Sequence, residues 1–351
     1  MSIAILSNTY KASAQSKLEP VFSDNTYQLT GVAASSTGRI FVNYPLWSST
    51  YKYALVEVLP NNQVKPYPNE EWNSWKPGDD GKNKWVCVQS PYIDENDFMY
   101  VVDPASPKLE KVYQNSNKVV KINLKTNKVE RTYFFTGTTD NGSYLNDIRV
   151  DVKKQVAYLT NSNEGGIVIL DLNTGSSRQV LQGHKSVLSD PYFKYIIDGR
   201  ELTKEGVPAK FNSDGLALTP DGAWLYYKSI TDHKLYRIKT ADLLDSTLTR
   251  QQLAGRVNDL GSNFPSTDGM IFDQDGNLYF GDPQNYRMLK MSPDLKVTTW
   301  ISDKRLIWPD SYSIANGYLY ITTSQINKQP DYNNGVNKRT SPYMVFKVKL
   351  K

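Results

Sequence analysis

Apolar and polar positions alternate along this chain in short runs of four to seven residues, broken at regular intervals by Gly, Asn, Asp and Pro. Period-2 alternation bounded by turn residues predicts β-strands, and no segment sustains the 3.6-residue period of a long helix. The clearest stretch is Thr267–Phe280, in which an apolar run meets a turn at Gln274–Asn277 and resumes as Leu278-Tyr279-Phe280. The same pattern recurs at Ser213–Tyr227, and weaker copies occupy Leu29–Tyr44, Cys87–Val102, Leu145–Asn161 and Pro309–Thr323. Each copy is followed by a third alternating run, such as Val119–Asn123 or Val345–Val348, and most then turn into a fourth. Antiparallel four-stranded units repeated radially predict an all-β fold, a six-bladed β-propeller, rather than a linear solenoid.

The predicted blades are 25–68, 85–136, 144–182, 212–254, 266–302 and 308–351, forming a single domain over residues 1–351. The last unit has only three strands before Lys351, so segment 17–23 is expected to supply its fourth strand and cover an open edge. Helix is confined to single turns at 240–244 and 69–75. Long non-strand stretches at 65–85, 103–117, 181–212, 254–266 and 324–342 are the expected functional loops.

Repetition also predicts a site. The first strand of each blade lines the central channel, and all six start at one mouth, so equivalent residues form a ring. Counting back five positions from the turns places Thr30, Gln89, Asn146, Asp214, Asp268 and Asp310 on it. The next residue is small in five units (Gly31, Ser90, Gly215, Gly269, Ser311), and Asp147 is the exception. Asp214, Asp268 and Asp310 are the candidate catalytic groups. With Asn146 they form a hard-oxygen set suited to calcium or another divalent cation. The alternative is structural, with Asp before Gly satisfying backbone N–H groups at a strand start. Gln89, Tyr92, Asn146, Asp147, Phe264, Trp308 and Tyr312 are the candidate ligand contacts, and the loops are expected to bring Trp72, Trp75 and Tyr144 to the same face.

Composition removes other classes. A net charge of +5 over 351 residues with scattered lysines provides no phosphate-tracking stripe, so nucleic acid is not an expected partner. The single Cys87, in an apolar run, excludes an intrachain disulfide framework and reads as a buried inert thiol. No apolar run is long enough to span a membrane, and Met1–Leu6 is too short for a secretory leader. His184 and His233 read as surface residues. No P-loop, HExxH pair, nucleophile elbow or dinucleotide fingerprint appears, so no nucleotide cofactor is expected. Asp273–Asn277 resembles the start of an EF-hand loop but lacks the distal Glu and reads as a hairpin turn. A monomer binding a small molecule is the expected state.

Ordered stretches between about 60 and 285 resemble the yellow / major royal jelly protein family. They include Gln63–Asn69, Lys118–Leu124, Asn146-Asp147-Ile148-Arg149-Val150-Asp151, Asp214–Gly222, and Asp268–Asp273 with Gly276–Gly281. The resemblance implies a six-bladed propeller, secreted or periplasmic, binding an aromatic or amine ligand in the channel mouth, with isomerase activity of the dopachrome-converting kind in some members. It supplies no catalytic residues. The chain lacks the family's paired cysteines, so a cytoplasmic location is the alternative. A more distant likeness is to the SMP-30/gluconolactonase propellers, calcium-dependent lactone hydrolases. Their metal ligands match Asn146, Asp214 and Asp268, whereas their first-unit Glu falls on the uncharged Thr30, with Asp310 as a substitute. That makes a metal-dependent lactone or ester hydrolase the alternative function, and a protein-interaction scaffold the third.

Overall fold

The computed structural model describes residues 17–350. The expectation for Met1–Leu6 lies outside these residues, as does the terminal Lys351. Six four-stranded antiparallel sheets succeed one another along the chain. Their innermost strands are Val32–Ala34, Ser90–Ile93, Leu145–Asp151, Ser213–Leu218, Met270–Phe272 and Pro309–Ala315. The sixth sheet is completed by Glu19–Asp24, which pairs with Tyr343–Lys349 as its outer strand. The first and last parts of the chain therefore share one blade, and an otherwise open edge is paired.

The blades pack face to face, so their middle strands are buried on both sides. Val156–Asn161 is buried throughout, which is why it reads as a nearly unbroken apolar run rather than an alternating one. Buried apolar clusters fill every junction between neighbouring blades. Tyr158, Ile169, Leu216 and Tyr227 join the third and fourth blades. Phe22, Val42, Tyr320 and Val345 join the sixth to the first and close the ring.

Departures from the expected boundaries have local causes. The fourth strand of blade four is Asn258–Asp259, beyond the expected end at 254, because Arg250–Ala254 forms a helix. Thr249 caps it, accepting from Gln252 N–H while the Gln252 side chain accepts from Thr249 N–H. Thr240–Leu244 is helical as expected, whereas 69–75 holds hydrogen-bonded turns and no helix. The 181–212 stretch carries two small hairpins, Ile196–Ile197 with Arg200–Glu201 and Thr203–Lys204 with Val207–Pro208. Among the described residues no helix is long and apolar enough to cross a membrane.

Candidate functional site

Three of the innermost strands are bulged where the ring residues sit. The register shifts between Leu145 and Ile148, between Ser213 and Leu216, and between Pro309 and Tyr312. A bulge re-aims side chains, and here it frees Asn146, Asp214 and Asp310 from the ladder. Second-strand threonines secure these bulges. Thr160 Oγ1 accepts from Asp147 N–H at 3.2 Å and donates to the Asp214 carbonyl of the next blade. Thr322 repeats this, accepting from Ser311 N–H and donating to the Thr30 carbonyl. Asn43 serves the first blade, donating to the Gln89 carbonyl at 3.0 Å. These three residues were not singled out from the sequence. The available signal was a small polar residue near the end of a second strand otherwise apolar.

Small residues after ring positions have a direct reason. A Cβ on Gly215 would lie 2.0 Å from the Asp268 carbonyl oxygen, and one on Gly269 would lie 2.4 Å from that of Asp310. Inner strands of successive blades approach so closely that the backbone of one occupies the side-chain space of the other.

The ring is chemically lopsided. Blades one to three contribute the neutral Thr30, Gln89 and Asn146, and blades four to six contribute Asp214, Asp268 and Asp310, all buried. Gln89 is held by Tyr144, whose hydroxyl donates to Oε1 at 2.7 Å and accepts from Trp47 Nε1 at 2.8 Å. Asn146 Nδ2 donates to Asp214 Oδ2 at 2.7 Å, and Trp308 Nε1 donates to Asp268 Oδ2 at 2.6 Å. Trp308 holds that pose with φ 57°, a left-handed conformation bulky residues rarely take. Asp214 Oδ1 and Asp310 Oδ2 are buried with no hydrogen-bond partner.

Burial penalises the charged forms, so Asp214 and Asp310 are held well above the usual carboxylate range, with repulsion from Asp268 adding to both. Burial pushes Asp268 up to about 7, against the indole N–H of Trp308, which favours its charged form. Asp147 is also raised by burial, opposed by Arg149.

Arg149 is a further site residue that sequence reasoning did not select. From blade three it reaches past blade four, donating Nη2 to the Met270 carbonyl of blade five at 2.5 Å. Its guanidinium lies 3.9 Å from Asp147 Oδ2 and 5.5 Å from the Tyr92 ring centroid, while Nε has no partner. The visible signal was an arginine inside the buried strand Leu145–Asp151. It lies across the channel.

Not every expected contact stands at the ring mouth. Tyr92 lies two residues before the 94–97 turn, below Arg149, and lines a cavity of about 340 Å³ at the opposite end of the channel. Asp147 and Tyr312 also line that cavity, the latter donating its hydroxyl to the Pro309 carbonyl. Phe264 packs against Phe280 between blades four and five. Trp72 stacks on Trp85, and Trp75 meets Tyr113 edge-on. These aromatics are packed into the blades because their ring area is worth more buried than exposed. Trp308 does stand beside the ring, beneath the 181–212 insertion, in a cluster with Phe193, Tyr195, Ile230 and Tyr332. Of the remaining single residues, Cys87 is buried, with its thiol pushed above its usual range by burial, and His233 is exposed. His184 is half-buried and accepts from Ser186 N–H. Asp273 accepts from the N–H groups of Asp275 and Asn277, as a hairpin turn requires.

The model of the major royal jelly protein family matches residues 86–351. This chain belongs to that family. A curated relative, the 6-deoxy-6-sulfogluconolactonase of Pseudomonas putida, is 32% identical over 122 residues, 34% of this chain. The chain spans 40% of that relative's length. Among solved structures, a gluconolactonase from Xanthomonas campestris superposes with a TM-score of 0.56 at 9% identity, over 96% of this chain and 90% of its own. Virginiamycin B lyase from Staphylococcus aureus does so with a TM-score of 0.52 at 13% identity, over 96% of this chain and 100% of its own. At such identities the likeness concerns the fold.

A divalent ion can be tested against the ring directly. Among the described residues no three His, Cys, Asp or Glu side chains stand close enough together to coordinate one ion as they are. The ring offers a mixed set, Asn146 with carboxylates, and the orphaned Asp214 Oδ1 and Asp310 Oδ2 suit a hard cation.

Proposed function

We propose that the ring is a cation-dependent hydrolytic site for lactones of sugar acids. The observation that carries this reading is the convergence of Asp214, Asp268 and Asp310 with Asn146, including two buried carboxylate oxygens that accept no well-aligned hydrogen bond. Kinship with a sulfogluconolactonase over part of the chain supports the choice of substrate class. Asn146, Asp214 and Asp310 would hold the ion, which when bound would polarise the lactone carbonyl. Asp268, pushed up to about 7, is suited to exchange a proton at neutral pH. Its Oδ1, the oxygen not taken by Trp308, accepts the proton of the attacking water as the new C–O bond forms at the carbonyl carbon. The ring C–O bond then breaks, and the same proton passes to the departing alkoxide, leaving the open hydroxy acid. Trp308 keeps Asp268 facing the channel throughout.

The family membership favours a second reading, in which the same carboxylates bind the ammonium group of a small amine. The two separate experimentally. Lactone hydrolysis followed by pH-stat, abolished by EDTA and restored by calcium or manganese but not in Asp214→Ala, supports the first. Absence of turnover, with tight calorimetric binding of an aromatic amine in EDTA, replaces it with the second.

A further inference from the structure

The acidic half of the ring lies under a cap of two segments, 188–212 from the blade three to four connection and 324–335 within blade six. Cap residues Phe193, Tyr195 and Tyr332 pack with Trp308, the residue that holds Asp268. Tyr195 sits against the Trp308 indole, ring centroids 5.4 Å apart, and is 1% exposed. Its hydroxyl makes no well-aligned hydrogen bond. Ser266, whose own hydroxyl donates to the Ile230 carbonyl, is the one side chain near enough to accept from it. The hydroxyl lies within electrostatic reach of Asp268 and Asp282. The same region holds other orphaned groups. Asp282 Oδ1 has no partner, although Oδ2 takes Asn285 and Arg287, and both side-chain amide atoms of Asn327 in the cap are unpartnered and buried.

Buried polar atoms are nearly always paired, and each orphan lowers stability. A set of them in the cap and beside it needs a reason. Donors and acceptors are both represented (phenol, amide N–H, amide oxygen, carboxylate oxygen), a mixture that matches hydroxyl groups, which donate and accept. A sugar acid carries a hydroxyl on nearly every carbon, whereas an aromatic amine carries at most a few polar groups on a flat apolar ring.

We propose that this cap is the recognition wall for the polyhydroxylated part of the ligand, with Tyr195 as its principal hydrogen-bonding contact. The inference rests on the ring being the site, and it favours a sugar acid or its lactone over an aromatic amine. The two segments of the cap are fastened to each other by side chains near the surface, and Gln284 of blade five donates to the Ile196 carbonyl. Lys204 pairs with Asp331 at 2.8 Å, Lys328 pairs with Asp198, and Arg200 donates to the Tyr332 carbonyl and to Asn333 Oδ1.

The test is Tyr195→Phe, read by two measurements on the full chain. Calorimetric titration with gluconate in the presence of manganese should show about tenfold weaker binding in the variant, with manganese affinity unchanged. The apo variant should melt about 1–3 °C higher, because an orphaned hydroxyl has been removed. A tyrosine with a merely structural role would give the opposite stability sign and leave gluconate affinity alone. Equal gluconate affinity in the two proteins overturns the inference while the ring reading stands. Wild-type protein that takes up neither manganese nor gluconate overturns both, and binding of dopamine or serotonin in EDTA in place of gluconate overturns the sugar-acid assignment specifically.

Discussion

Replacing Asp268 by Asn should stabilise the protein at alkaline pH. Asp268 is buried, and its carboxyl is pushed up to about 7 from an ordinary 3.8. An acid with a raised folded-state pKa contributes stability that is complete below its unfolded pKa and is lost as pH rises through the folded value. Ionisation in the folded protein therefore costs about 1.4 kcal/mol for each of roughly three pH units, about 4 kcal/mol once pH exceeds 7. For a domain of 351 residues that corresponds to about 5 °C in Tm. Asn can still accept the Trp308 indole N–H and can donate to Asp214, so the local hydrogen bonding survives. Scanning calorimetry from pH 4 to 9 in EDTA should show equal melting temperatures near pH 4 and a gap opening up to pH 7, with Asp268→Asn the higher. Asp268→Asn also relieves Asp214 and Asp310 of the repulsion from Asp268, which acts in the same direction and widens the gap at alkaline pH. Calcium or manganese should then raise the wild-type Tm at pH 8 more than that of the variant. Parallel curves, or a variant that melts lower at pH 8.5, would refute the claim that Asp268 is held protonated by its surroundings.

Other expectations follow from packing. Gly215→Ala would drive a Cβ to 2.0 Å from the Asp268 carbonyl oxygen, so it should lose about 1–3 kcal/mol or more in urea denaturation and disturb the ring with it. Lys118→Met removes the partner of Asp103 from a fully buried pair at 2.7 Å and frees the Gly81 carbonyl. Unfolding free energy should fall by about 3 kcal/mol, with faster proteolysis within 65–85, and unchanged cleavage would argue against that anchoring role. Deleting residues 17–24 strips the outer strand from Tyr343–Lys349, and calorimetry should show a lower, broader transition. An unchanged melt would mean that blade six does not need it.

The fold was legible because propeller blades repeat. A turn at Asp273–Asn277 and another at Thr219–Gly222 occupy equivalent positions, and one well-marked copy locates the weaker ones. The ring positions were legible for the same reason, and the small residues after them reported the tight approach of neighbouring strands. Side-chain destinations were not legible. Tyr92 and Phe264 fall near ring residues in sequence, yet strand direction takes one to the opposite end of the channel and packing takes the other between blades. Arg149 escaped notice because its partners, the Met270 carbonyl and Tyr92, are far from it in sequence. The 250–254 helix was missed for a different reason. Its signal is the Thr249/Gln252 capping box, which lies inside the stretch expected to hold the fourth strand.

Arg149 and the cap together determine how a ligand can reach the ring. Below the ring, a buried guanidinium anchored on blades three and five lies across the channel between the carboxylates and the cavity at the far end. Breaking that anchorage would strand a buried charge, which is costly. Above the ring, the cap is fastened by half-exposed pairs such as Lys204–Asp331, whose loss costs little, and by the buried packing of Phe193, Tyr195 and Tyr332 around Trp308. On the proposed reading a ligand arrives from the cap side and passes Tyr195 and Trp308 before it meets Asp268. Recognition by hydroxyl-matching groups precedes contact with the carboxylates. That order suits a site whose acids stay protonated until a cation or a cationic ligand gives them a reason to ionise.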